Sequence, residues 1–508
     1  MMYTLVDFLR INRRRNPDVV AVSDDEGRLT HQELSDRAWS LAQGLIAAGV
    51  RPGDRVGVLT GNSNFALETF LGTLAAGAVY VPFNWRWATA ELIHGIELTK
   101  PSVVLVEAEF IPSLAAAEET GIPHEFTAFR QGLEYDGLLD HAPVAPDVTV
   151  DFEDPAVILF TGGTTGFSKG VVLPHRATIV NAVNELADLG FGSGPEHVGL
   201  CTVPLFHSAS LLTVFAPHYI TGGTTAVLRK FTEEGFAEVV AREHVTSTFA
   251  TPNMLRRLLG AGVLDRPEVK SLRQIHSGAG LLRMPDKLAI RAALPHVQIF
   301  FRYGLTEAGP MVTRLHDADI MRPELDGSIG TPYTFVEVEL RDPMGNEVPD
   351  GELGEICVRG PAVMSGYFDQ PAATADTVRD GWLYTGDLAV RGEGGNLFFR
   401  DRAKDMIKTG GENVYAAEIE QLLYTHPAVM ECGVLGVPSE EWDEEVRAVV
   451  ALRDGASADQ AELQAFLRQS LAGYKIPKVF LFVSPDDMPV NPSGKIVKSK
   501  LREITGWG

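Results

Sequence analysis

Along residues 28–50, "RLTHQELSDRAWSLAQGLIAAGV", apolar side chains recur every three to four positions. That period predicts an amphipathic helix. Thr30 precedes it as an N-cap, Glu33 follows three residues on, and Gly49 marks its end. "TLVDFLRINRRRNPD" predicts an opening amphipathic helix that stops near Pro17. "RVGVLTGN" (55–62) reads as a buried strand and turn, and "NFALETFLGTLAAGAVYVPFN" as a helix followed by another strand. Strand and helix alternate in this way to about residue 300, the pattern of parallel α/β layers. The apolar strand in "DPAVILFTGGTTG" (154–166) runs into a loop of glycine and threonine.

Two changes of texture follow. After about residue 325, "GSIGTPYTFVEVELRDPMGNEVPDGELGEICVRG" alternates over short stretches broken by turns such as Pro343-Met344-Gly345-Asn346. This predicts a β-rich part, a distorted barrel, over about 325–400. From about 405 the chain suggests a compact α+β unit of about 100 residues. There "NVYAAEIEQLLYTHPAVMECGVLGVP" and "DQAELQAFLRQSLAGYKIPKVFLFV" each read as helix then strand, with the strand "EEVRAVVAL" between them. The fold class is α/β: a large N-terminal domain of layered α/β subdomains with a β-rich part, then a small α+β C-terminal domain. A chain of 508 residues exceeds what one core usually supports, which agrees with several domains.

Composition narrows the function. The net charge of -23, from 44 basic and 67 acidic residues, argues against a nucleic-acid surface, which needs a basic stripe. It suits a well-dispersed cytoplasmic protein. A small anion such as ATP then needs a local positive site. Cys201, Cys357 and Cys432 are the three cysteines, with no CxxC pair, so neither a disulfide framework nor a structural zinc site is expected. The N-terminal residues lack a long apolar stretch, so no signal peptide is expected. The run "FLGTLAAGAVYVPF" (70–83) is too short to span a bilayer.

"FTGGTTGFSKGVV" (160–172) supplies such a positive site. Glycines let backbone N–H groups close on an anion, Thr161, Thr164 and Thr165 add hydroxyl donors, and Lys169 adds charge. It is not a Walker A loop, which needs G-x-x-x-x-G-K-[ST]; here Ser168 precedes Lys169 and Gly170 follows it.

Six motifs accompany the loop: "PLFHSAS" (204–210), "SGAG" (277–280), "YGLTEAG" (303–309), "YTGD" (384–387), "DRAKDMIKTGGENVYAAEIE" (401–420) and "NPSGKI" (491–496). In this order, and over nearly the whole chain, the set resembles the adenylate-forming superfamily. That superfamily holds acyl- and aryl-CoA synthetases, luciferases and peptide-synthetase adenylation domains, and the likeness is greatest to its acyl- or aryl-CoA ligases. The resemblance implies two steps. A carboxylic acid and ATP give an acyl-adenylate and pyrophosphate; the acyl group then passes to the CoA thiol and AMP leaves. ATP, Mg2+ and CoA are the implied cofactors. Residues 1–403 become an ATP- and carboxylate-binding domain, and 404–508 a mobile domain that carries the catalytic lysine.

Attack at the α-phosphorus crowds negative charge, and positioned cations are the natural catalytic tool. By resemblance Lys495 bridges carboxylate and phosphate oxygens, while Lys498 and Lys500 read as solvated neighbours. Glu307 holds the metal and Thr306 meets the α-phosphate. Thr161, Gly163, Thr164, Thr165, Gly166 and Lys169 grip the departing phosphates. Gly278, Ala279, Gly280 and Tyr303 frame the adenine, and Asp387 and Arg402 hold the ribose. His207, with Gly280, lines the carboxylate pocket. Lys404 is the hinge, Gly410 and Gly411 let the thiol-bearing arm pass, and Arg86 and Lys475 reach toward CoA.

The chain departs from the family pattern at Ser168, where proline is common, at Leu281-Leu282, at Arg302 before Tyr303, and at Ala416, again for proline. None removes a catalytic group. No charged residue stands out in the pocket motifs, which favours an aryl, alicyclic or medium-chain fatty acyl group. Two alternatives stay open: an amine or carrier-protein thiol as acceptor, and a non-catalytic nucleotide-binding scaffold. A homodimer is compatible with the sequence.

Overall fold

The structure is a computed structural model that describes residues 3–161, 168–189, 194, 196–409, 412–439, 441–490 and 496–507. Its contacts divide the chain into two compact units: Met1–Val338 with Val358–Leu383, and Glu339–Cys357 with Tyr384–Gly508. The pivot expected at Lys404 lies inside the second unit.

Unit 1 holds two sheets. The first has seven strands, in the spatial order Gly366–Tyr367, Lys169–Pro174, Pro155–Thr161, Val79–Phe83, Arg55–Leu59, Val103–Val106 and Thr127–Arg130. Arg55–Leu59 runs parallel to both Val79–Phe83 and Val103–Val106. Strands of a parallel sheet are covered on both faces, so they read as unbroken apolar runs. Val103–Val106, "VVLV", is buried at every position. Pro155–Thr161 and Lys169–Pro174 form an antiparallel hairpin in which Thr161 stands opposite Lys169. The glycine-rich loop therefore leaves and re-enters the sheet at one point.

The helix expected over 28–50 spans His31–Ala47 and starts on a full capping box. Thr30 Oγ1 accepts from Glu33 N at 3.2 Å, and Glu33 Oε2 accepts from Thr30 N at 2.8 Å. Such a cap is worth about 1 kcal/mol. Its apolar stripe of Leu34, Ala38, Leu41 and Leu45 is fully buried.

The second sheet contributes ten strands to unit 1. Val198–Cys201, Ser247–Phe249, Gln274–Gly278 and Gln298–Gly304 are successive parallel neighbours, and Met311–Leu315 returns antiparallel. Gly278 lies opposite Arg302 across the last parallel pair. "SGAG" and "YGLTEAG" thus emerge side by side at adjacent strand ends.

The strands of 325–400 do not close into a barrel. Ser328–Pro332 instead extends the second sheet of unit 1, antiparallel to Met311–Leu315. An unpaired strand edge takes up another strand readily, and this one was available.

In unit 2, Trp382–Arg391 and Leu397–Arg402 pair antiparallel with Asp387 opposite Arg402. A separate five-stranded sheet carries the C-terminal residues. Its long antiparallel pair, Val429–Ser439 and Asp443–Leu452, is joined by Val479–Val483 in parallel. Helices Ala416–Leu423 and Gln460–Leu467 bury Ile419, Leu423, Leu463 and Leu467 against it. All three cysteines are buried and free of disulfides. Among the described residues no helix is long and apolar enough to cross a membrane.

Candidate active site

The hairpin of unit 1 brings three predicted phosphate and metal residues together. Thr161 Oγ1 donates to Glu307 Oε1 at 3.4 Å. Tyr367 Oη donates to the same oxygen at 3.0 Å. Lys169 Nζ lies 4.7 Å from the centre of the Tyr367 ring, a cation–π distance. Tyr367 arrives through the two-residue strand Gly366–Tyr367, which pairs with Val172 and Val171. Burial, and then the Glu307 charge, push its phenol above the ordinary range, so it stays a donor. A two-residue strand shows no period, and only the phenol in "SGYF" (365–368) could have drawn attention to it. Gly163, Thr164, Thr165 and Gly166 lie outside the described residues.

Thr306 opens a short 3-10 turn, and its Oγ1 is 3.2 Å from Ser208 Oγ of the histidine motif. That bond ties "PLFHSAS" to "YGLTEAG". His207 stands next to it, with Nε2 buried and without a hydrogen-bond partner among the described residues. Burial, then the charge of Arg86, lowers the His207 pKa to about 4, so the imidazole is neutral. Arg86 itself is exposed and stacks over Trp85, 4.5 Å from the ring centre.

At the adenine motif a Cβ on Gly278 would meet the Arg302 carbonyl oxygen at 2.5 Å, so the neighbouring strand demands glycine there. Ala279 adopts a φ of 63°, a left-handed conformation uncommon outside glycine. Gly280 has only ordinary contacts around it. The Ser277 hydroxyl is buried without a hydrogen-bond partner among the described residues.

Arg302 was noted only as a departure from the pattern, yet it is a fully buried charge within the motif block. Its Nη1 lies 2.8 Å from Glu185 Oε2, with both side chains at most 1% exposed. Its Nε donates to His276 Nδ1 at 3.1 Å, and Tyr333 Oη donates to Glu185 Oε1 at 3.2 Å. Burial outweighs the Arg302 charge and raises Glu185 to about 7.

Unit 2 holds the remaining residues. Asp387 is buried, and the Arg402 guanidinium Nε sits 3.2 Å from its Oδ1. Cross-strand register alone makes these two residues partners. Lys404 lies in the turn after Leu397–Arg402, where Asp405 N donates to Arg402 O at 2.9 Å. Lys475 Nζ is engaged by Glu418 Oε2 at 2.7 Å. Lys498, expected to be solvated, is instead ion-paired with Glu420 at 3.1 Å. Burial acts to lower its pKa, but Glu420, Asp401 and Asp405 outweigh that and raise it. Lys500 is exposed, as expected. Gly410, Gly411 and Lys495 lie outside the described residues.

Comparison with known proteins supports one family. Residues 9–368 match the AMP-binding enzyme family, and residues 418–495 match the AMP-binding enzyme C-terminal domain. A feruloyl-CoA synthase from an Amycolatopsis species is 39% identical over 497 residues, 97% of each chain. A fatty acid–[acyl-carrier-protein] ligase from Streptomyces coeruleorubidus is 35% identical over 522 residues, covering 100% of this chain and 97% of its own. The crystal structure of ATP-bound MatB from Rhodopseudomonas palustris superposes with a TM-score of 0.89 at 31% identity over 98% of each chain. The chain belongs to the AMP-binding enzyme family.

Proposed function

From that membership we propose that this AMP-forming acid–CoA ligase acts on an aromatic carboxylic acid and divides its work among the motif residues as follows. ATP activates the carboxylate to an acyl-adenylate with loss of pyrophosphate, and the acyl group then passes to the CoA thiol. The observation that carries the division is the meeting of Thr161, Lys169 and Glu307 at Tyr367, because it joins both flanks of the glycine-rich loop to a carboxylate.

In the first step a carboxylate oxygen forms a bond to the α-phosphorus while the bond from that phosphorus to the bridging oxygen of pyrophosphate breaks. Lys169 stays with the leaving phosphates. Lys495 meets the reacting oxygens, and Thr306 donates to the α-phosphate. Two hydroxyls on Glu307 Oε1 hold that carboxylate in place and leave Oε2 for a hard cation, which suits Mg2+. Bound there, Mg2+ would neutralise phosphate oxygens. Asp387 and Arg402 receive the ribose, and Tyr303 with the Gly278–Gly280 backbone flanks the adenine. The neutral His207 walls the carboxylate pocket. The Arg302 cation is enclosed beside Glu185 and is not free to receive a second carboxylate on the acyl group. A turn about Lys404 separates the two steps, with Gly410, Gly411, Arg86 and Lys475 on the CoA side.

The similarity to a feruloyl-CoA synthase supports the aromatic acid, and the carrier-protein ligase keeps a second acceptor in view. A panel of hydroxycinnamic, indoleacetic and medium-chain fatty acids, read by AMP formation and product mass, tests both. We expect CoA-dependent turnover of a hydroxycinnamate. Acyl transfer only to a carrier thiol or an amine would replace the CoA reading. Lys495→Ala should abolish pyrophosphate exchange yet still convert a supplied acyl-adenylate to the thioester. Normal exchange in that variant would sink the role given to Lys495.

A further inference from the structure

Just beyond Lys495 in sequence, unit 2 holds a half-buried ion pair. Lys498 opens the helix Lys498–Thr505, three residues beyond Lys495. Its Nζ lies 3.1 Å from Glu420 Oε1, with about a fifth of each side chain exposed. Glu420 Oε1 also accepts from Val434 N at 2.8 Å. Asp401, on the neighbouring strand Leu397–Arg402, is buried. Its Oδ1 accepts from Arg402 N at 2.8 Å and its Oδ2 from Ala417 N at 3.2 Å. Burial raises the Asp401 pKa to about 6, although the nearby Lys498 charge acts to lower it.

Docking of the terminal helix does not need this charge. Leu501 is fully buried among Leu435, Val449, Ala451 and Met488. Arg502 Nη1 donates to Gly436 O at 2.6 Å, and Val497 N to Pro489 O at 2.8 Å. A cation at a helix N-terminus opposes the helix dipole, and a desolvated one costs more than an apolar side chain of the same length. Asp401 precedes the pivot proposed at Lys404, whereas Glu420 and Lys498 follow it.

We propose that Lys498 is a positioning residue for adenylate formation: held by Glu420, its ammonium fixes the exit of the segment that presents Lys495. The proposal rests on the role given to Lys495 above.

Half-reactions of the full-length enzyme test it. Lys498→Met keeps the stem and removes the charge. We expect its kcat for pyrophosphate exchange to fall at least tenfold, with KM for the acid within about twofold. Thioester formation from supplied acyl-adenylate should be unchanged. Lys498→Arg should recover most of the loss, and the exposed neighbour variant Lys500→Met should show none. Glu420→Gln, which keeps an acceptor for Val434 N, should reproduce the split if Lys498→Met fails to fold. Exchange within twofold of wild type in both charge-removing variants, beside an inactive Lys495→Ala, overturns the role given to Lys498. So does an equal loss in both half-reactions. Normal exchange in Lys495→Ala removes the premise instead, and the role of Lys498 with it.

Discussion

Tyr367 decides how firmly Glu307 is held. Its hydroxyl and that of Thr161 converge on one carboxylate oxygen, and its ring lies under the Lys169 ammonium. A hydrogen bond to a charged group contributes about 1.5–3 kcal/mol, toward the lower end at a partly exposed site. Tyr367→Phe keeps the ring and removes the donor. We expect KM for MgATP to rise about tenfold, equivalent to about 1.4 kcal/mol, with KM for the acid unchanged. A magnesium titration at fixed ATP checks it, and identical titrations for variant and wild type would count against the role. At this scale the sequence singles out residues that sit in a motif, such as Lys169 and Glu307. Tyr367, Arg302 and Lys498 depend on partners remote in the chain, so no local pattern announces what they touch.

Lys404 shows what an element boundary can and cannot reveal. The turn at 403–405 joins Leu397–Arg402 to Ile407–Thr409, and Ala403 N is held by Gly386 O at 2.8 Å. Proline at 404 would fix φ there and force Ala403 into extended backbone. Lys404→Pro should leave adenylation within about threefold and slow thioester formation at least tenfold, since only a swing needs the lost freedom. Stopped-flow measurement of each half-reaction decides, and equal overall turnover would argue against a pivot. Helix His31–Ala47 and the strands around it could be read from period and caps because their determinants are local. The supposed barrel could not, because which edge a short strand joins depends on edges elsewhere in the molecule. The contact boundary near 383–384 differs from the pivot proposed at Lys404 for the same reason: compactness counts partners, and Asp401 finds its partner at Ala417.

Acid stability follows from what unit 1 buries. Burial lowers His175, His207 and His218 to about 4 and His276 well below its ordinary 6.5. These four must stay neutral when folded and gain protons when unfolded. Their contribution is fully present above about pH 6.5 and is lost as pH falls toward 4. Glu185 has the opposite sign. Raised from 4.5 to about 7, it favours the folded state at low pH and loses that contribution as pH rises through 7. Near pH 5.5 four histidines against one carboxyl leave about three extra protons on the unfolded state, or roughly 4 kcal/mol of stability per pH unit. Relief of the -23 net charge on acidification works the other way. Exposed charges are screened within about 8 Å at physiological salt, so the buried groups prevail. Urea unfolding followed from pH 8 to 5 should show a steep loss of stability below pH 6.5. Glu185→Gln fixes the neutral form, so it should gain stability relative to wild type between pH 5 and 8 and steepen the acid limb by about one proton. Parallel curves for the two proteins would show that Arg302 holds Glu185 ionised and that burial does not govern the pair.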